Sequence, residues 1–108
     1  MDAISKTFEM TRGRLVQSVA PRRGQPYVHR CDLDVFKDVA WAIEANGMNG
    51  VTTGELWDAM PDHPRTQISV ALDFLKERGC VMTEGRRSFP ASSTLFEDAM
   101  IEWHALEE

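Results

Sequence analysis

Cysteine is scarce in this chain: Cys31 and Cys80 are the only two, and they do not form a CxxC pair. That is too few for a disulfide framework, and it fits a reducing compartment. Arg30 gives Cys31 one basic neighbour, which leaves a redox-sensing thiol open. The histidines His29, His63 and His104 lack metal-ligand spacing, and His29-Arg30-Cys31 is too tight for an ordinary zinc pair. There is no glycine-rich phosphate loop and no nucleophile elbow. The carboxylates are scattered along helix faces, where solvation is their ordinary role. No catalytic residue, cofactor or metal is therefore expected. Long apolar runs are also missing, since none approaches the roughly 20 residues a membrane helix needs. The first residues, MDAISKTFEMTRGR, lack the charged-then-apolar order of a secretory signal. A cytoplasmic, non-catalytic protein with no membrane partner is the expectation.

The chain has 108 residues, 43% hydrophobic and 27% charged, enough for one compact domain and not two. Its net charge of −5 is unevenly spread. Residues 1–30 carry Lys6, Arg12, Arg14, Arg22, Arg23 and Arg30 against Asp2 and Glu9, a net +4, and the remaining 78 residues carry −9. An acidic body opposes sequence-independent phosphate binding, and a basic arm partly restores it.

Residues 1–30 show no helical period. Leu15 to Val19 reads as a short strand and Tyr27-Val28 as another, joined by the turn-forming APRRGQP. A strand pair lying on the main domain and an arm with a disordered first dozen residues are both compatible with this pattern. Arg12 and Arg14 alternate with apolar residues, as the outer face of a strand does. From Asp32 or Asp34 as cap to Asn46-Gly47 as stop, Phe36, Val39, Ala40 and Ile43 form one helical stripe. Trp41 falls opposite that stripe and needs a cover: the arm, the last helix or a partner chain.

The most informative stretch is Val51 to Arg87. Thr52 with Glu55 makes a capping box, and Val51 with Leu56 a hydrophobic staple. The helix they open is stopped by Pro61. Asp62-His63-Pro64 turns the chain into a longer helix that ends at Gly79. Ile68, Ala71, Leu72 and Leu75 share its buried stripe, which leaves Thr66, Ser69, Val70, Asp73 and Glu77 on the other face. Cys80 to Thr83 and Arg87 to Phe89 read as short strands around Glu84-Gly85-Arg86. A last helix follows, capped from Ser92, Ser93 or Thr94, with Thr94 and Glu97 as a second capping box. Its apolar residues, including Phe96, Met100 and Trp103, span roughly 140°, wider than the about 100° of a single core stripe. The excess predicts a homodimer contact through Phe96, Met100 and Trp103.

This order, and the run Thr66-Gln67-Ile68-Ser69-Val70-Ala71-Leu72-Asp73-Phe74-Leu75-Lys76-Glu77-Arg78-Gly79-Cys80-Val81 in particular, resembles the winged helix-turn-helix superfamily of bacterial MarR- and PadR-like transcription regulators. The resemblance is loose over residues 33–106 and good over 51–89. It implies an α+β, mainly α fold: a three-helix core, a two-stranded wing, an N-terminal arm or strand over residues 1–30, and a winged helix domain with a C-terminal helix over 31–108. It also implies duplex DNA as partner, with the third helix in the major groove and the wing on a phosphate strand. Arg65, Thr66, Gln67 and Ser69 have the donors and acceptors for base edges and phosphates. Arg86 and Arg87 stand at the wing turn, and Arg22 and Arg23 form the centre of the basic arm. Asp73 and Glu77 depart from the pattern, because carboxylates on a groove-facing side repel phosphate and only Arg65 accompanies them as a base. The alternative is a winged-helix module that docks on protein without touching DNA, since fold does not fix function.

Overall fold

The computed structural model describes residues 5–107. Residues 1–4 of the expected arm and residue 108 lie outside them. The described chain is an α+β domain with four α-helices and two small three-stranded antiparallel sheets.

The first sheet consists of β1 (Ser5–Thr11), β2 (Arg14–Ala20) and β3 (Tyr27–Cys31) in sequential order. Sequence patterning indicates β2 and β3 but not β1. The missed signal is Arg12-Gly13, a two-residue hairpin turn with both φ positive, at 53° and 77°. That is the geometry whose twist matches paired strands. The register Lys6–Val19–Tyr27, Phe8–Gln17–His29 and Met10–Leu15–Cys31 puts these three rows on one face of the sheet. The innermost row enters the core, where Leu15 and Cys31 are fully buried. The N-terminal segment is thus built into the body of the domain from Ser5 onward.

Helix α1 (Leu33–Asn46) buries Val35, Phe36, Val39, Ala40 and Ile43. Asp32 occupies its N-cap, but its carboxylate takes Arg14 Nε at 2.8 Å instead of capping. Asp34 Oδ1 accepts from the Val35 N–H. Gly47 ends the helix, and a single 3-10 turn, Gly47–Asn49, leads into β4 (Val51–Thr52). At Gly50 the backbone turns at φ 69°, and a Cβ there would lie 2.6 Å from the Phe89 ring, so only glycine fits.

The capping box forms at the start of α2 (Thr53–Ala59): Thr52 Oγ1 accepts from Glu55 N, and Glu55 Oε1 from Thr52 N. Such a cap is worth about 1 kcal/mol. Helix α3 (Arg65–Glu77) starts one residue later than expected, with Pro64 at its N-cap. Strands β5 (Val81–Glu84) and β6 (Arg87–Pro90) follow, and the second sheet has the order β4–β6–β5. Helix α4 (Leu95–Glu107) closes the core with Leu95, Ala99 and Trp103. The expected Thr94–Glu97 box is replaced there: Thr94 Oγ1 and Ser92 Oγ both donate to Asp98 Oδ2.

One aromatic line runs through the interior. Phe8 meets Phe74 at 5.3 Å, Phe74 meets Phe36 at 5.8 Å, and Phe36 meets Trp103 at 4.8 Å. It ties the N-terminal sheet, α3, α1 and α4 into one core. Trp103 is 0% exposed, so it packs within its own chain and cannot itself face a partner. The broad apolar arc of α4 reflects this burial deep against α1, with Phe96 and Met100 left half-buried at the rim.

Candidate nucleic-acid interface

Helix α3 buries two sides instead of one. Ile68, Ala71, Leu72 and Leu75 pack inward as their period predicts. Val70, expected on the open face, is only 1% exposed because the N-terminal sheet covers that flank. The same sheet reaches Asp73. Asp73 Oδ2 accepts from Gln17 Nε2 at 2.9 Å and from Lys6 Nζ at 3.1 Å. Gln17 is 3% exposed, so this carboxylate is what satisfies a buried amide.

What remains open on α3 is a stripe in two parts: Arg65 and Thr66 are exposed and Ser69 half-buried at its start, Lys76 and Glu77 are exposed at its end, and Leu72 between them is 2% exposed. Lys76 is the second base on this side, which one-dimensional spacing had assigned to Arg65 alone. The guanidinium of Arg65 stacks over the Trp57 ring of α2, 4.9 Å from its centroid, and makes no ion pair among the described residues. Near the far end of α3, Lys76 shares an open depression of about 460 Å³ with Thr53 of α2 and Arg86 of the β5–β6 turn.

Two of the expected contact residues are committed internally. Gln67 Oε1 accepts the Asp32 backbone N–H at 2.9 Å, joining α3 to the start of α1. Arg87 Nη1 lies 3.3 Å from Glu55 Oε1, and 3.4 and 3.5 Å from the carbonyl oxygens of Gly50 and Asn49. It fastens β6 to the start of α2. Glu55 is held below the usual carboxylate range chiefly by the Thr52 backbone N–H it accepts, with Arg87 adding to the effect. Arg86 is exposed. Arg22 and Arg23 are exposed too, on the loop joining β2 to β3.

Over Arg65, Thr66 and Ser69, the outer rows of the N-terminal sheet overhang α3 and form an open cleft of about 330 Å³. Tyr27 and His29 line its sheet side, with their rings 4.8 Å apart edge to face, and Trp57 and Arg65 line the opposite side. Gln17, Val19, Thr66, Ser69 and the Lys6–Asp73 pair complete it. Sequence reading counted Lys6 among the cations of the basic arm but missed Gln17, Tyr27 and His29. Alternation within each strand could have put them on one face, but only strand pairing brings that face over α3.

The other expected surface is α1 with α4. Trp41 is 61% exposed, and Phe96 of α4 meets its ring edge to face at 5.7 Å, so the last helix covers it only in part. Cys31 and Cys80 are free and buried. Burial, reinforced by Asp32 and Asp34, pushes the Cys31 thiol far up, and burial raises Cys80 as well. No group of three or more metal-ligating side chains occurs among the described residues, and none of their helices is long and apolar enough to cross a membrane.

Compared with known proteins, the chain matches no family model, no curated protein and no solved structure.

Proposed function

We propose that this chain is a winged helix-turn-helix protein that binds duplex DNA in transcriptional regulation. The order α1–β4–α2–α3–β5–β6, with its β4–β6–β5 sheet, supports the winged-helix reading. The observation that carries the DNA reading is the capture of Asp73 by Lys6 and Gln17. It compensates one of the two acids that would repel phosphate and leaves Arg65, Thr66, Ser69 and Lys76 on the open side of α3, with Glu77, paired to Arg78 at 3.1 Å, as the remaining acid. Arg65 and Lys76 are eleven positions apart, about 16 Å along the helix at about 1.5 Å per residue. The major groove is about 12 Å wide. The two bases therefore reach the flanking phosphates while Thr66 and Ser69 approach base edges. No side-chain cap occupies the first N–H groups of α3 and no acid in its first turn offsets the positive end of the helix dipole, which leaves that end to phosphate. Arg86 adds a wing contact, and the duplex approaches from the α2 and wing side.

A mobility-shift series on genomic fragments at several salt concentrations tests this, and absence of binding at low salt refutes it. Arg86→Glu should flatten the salt slope by about one unit, as expected for one lost phosphate contact. Arg87→Ala should lower stability instead, because its partners are intramolecular. A second copy packing on Trp41, Phe96 and Met100 would let one particle read two half-sites. Trp41→Lys should then shift sedimentation from dimer to monomer, and a monomeric wild-type chain rules this contact out. The same exposed Trp41 is what favours the competing reading of a protein-docking module.

A further inference from the structure

We propose that the cleft between the N-terminal sheet and the first half of α3 holds one unpaired nucleotide, so that the protein also binds single-stranded nucleic acid. Sequence-tolerant recognition of single strands combines cations that track the backbone with aromatic faces on which bases stack. The cleft has both. Tyr27 is 46% exposed on the sheet wall, with its ring 4.8 Å from that of His29 in an edge-to-face pair. Across the cleft stands Arg65, held by Trp57 and without an ion pair among the described residues.

The charge fits one phosphodiester. Lys6 and Arg65 supply two positive charges, and Asp73, already held by Lys6, supplies one negative, which leaves one to be met. Polar groups suited to a base edge are present and uncommitted. Gln17 uses its Nε2 on Asp73 and keeps Oε1, and the hydroxyls of Thr66 and Ser69 line the same space. At about 330 Å³ the cleft is at the small end of ligand sites, which run from about 300 to 1,000 Å³, so it has room for one nucleotide and not for a run of them. The loop bearing the exposed Arg23 leaves the sheet beyond Val19 and Tyr27, beside the cleft, where the neighbouring phosphates of a strand would pass.

The inference shares Arg65, Thr66 and Ser69 with the proposed groove contact but does not require duplex binding, because Tyr27 and His29 play no part in groove reading. Fluorescence anisotropy with labelled oligothymidylate of about ten nucleotides, oligouridylate of the same length and a blunt duplex tests it. The wild type should bind the single strands. Tyr27→Ala should weaken that binding about 5- to 150-fold, the range for loss of one stacked base, with unchanged circular dichroism. Tyr27→Phe, which keeps the ring, should restore it. Arg86→Glu should affect the duplex far more than the single strands. Tighter binding of oligouridylate assigns RNA as the source of the strand, and equal or weaker binding assigns DNA. If single strands do not bind at low salt, or Tyr27→Ala binds them like wild type, the proposal is overturned while duplex binding stands or falls by its own probe.

Discussion

Replacing Asp73 by alanine removes the acceptor that joins α3 to two strands of the N-terminal sheet. The larger loss falls on Gln17, whose amide is 3% exposed and would be left without a partner. A buried donor so orphaned costs about 1–3 kcal/mol. The Lys6 bridge is partly open, with side chains 43% and 29% exposed, and contributes about 1 kcal/mol or less. Asp73→Ala should therefore lose about 2 kcal/mol, which lowers Tm by about 8–12 °C for a domain near 100 residues. Asp73→Asn keeps an oxygen for Gln17 and loses only the bridge, so its loss should stay at or below about 1 kcal/mol. Urea unfolding of the two variants and the wild type, followed by tryptophan fluorescence, separates them if the m-value is unchanged. Equal losses from Asn and Ala would put the weight on charge instead of the buried amide. An Ala variant as stable as wild type would mean that this carboxylate does not secure the sheet. Under the proposed function, Asp73→Asn also removes a negative charge beside the reading stripe and should tighten duplex binding.

Two further outcomes follow from the titrating groups. Glu55 is depressed in the folded chain, so its contribution is present above the ordinary glutamate value and is lost as pH falls through the lower folded value. The acid limb of a stability–pH profile should therefore be shallower in Glu55→Gln, and an identical limb refutes a role for that carboxylate. Both thiols are buried and raised, so neither Cys31 nor Cys80 should react with an aromatic disulfide reagent at pH 8 until denaturant is added. Rapid labelling of the native protein would reopen Cys31 as a redox-sensing residue.

The helices were legible because their signals are local. The Thr52–Glu55 box, Pro61 and Pro64 around the turn, and the stops at Gly47 and Gly79 act within a few residues, and the structure has each of them. The first strand was not legible. Its partner is β2 across a turn that uses Arg12 in a left-handed conformation, and arginine is not a residue that announces one. The site was legible in residue types but not in roles. Arg65, Thr66, Ser69 and Arg86 remain exposed or half-open, whereas Gln67 and Arg87 are used to fasten elements together and Trp103 is consumed by the core.

By itself the sequence determined where helices begin and end and which stripe of each turns inward, because capping and apolar periodicity are short-range properties of the chain. Only the tertiary structure decided what the remaining face of α3 presents. Asp73 looks like an exposed acid until Lys6 and Gln17, 67 and 56 positions away, close on it. Pairing over that distance depends on where the sheet docks, and periodicity within one helix carries no information about that.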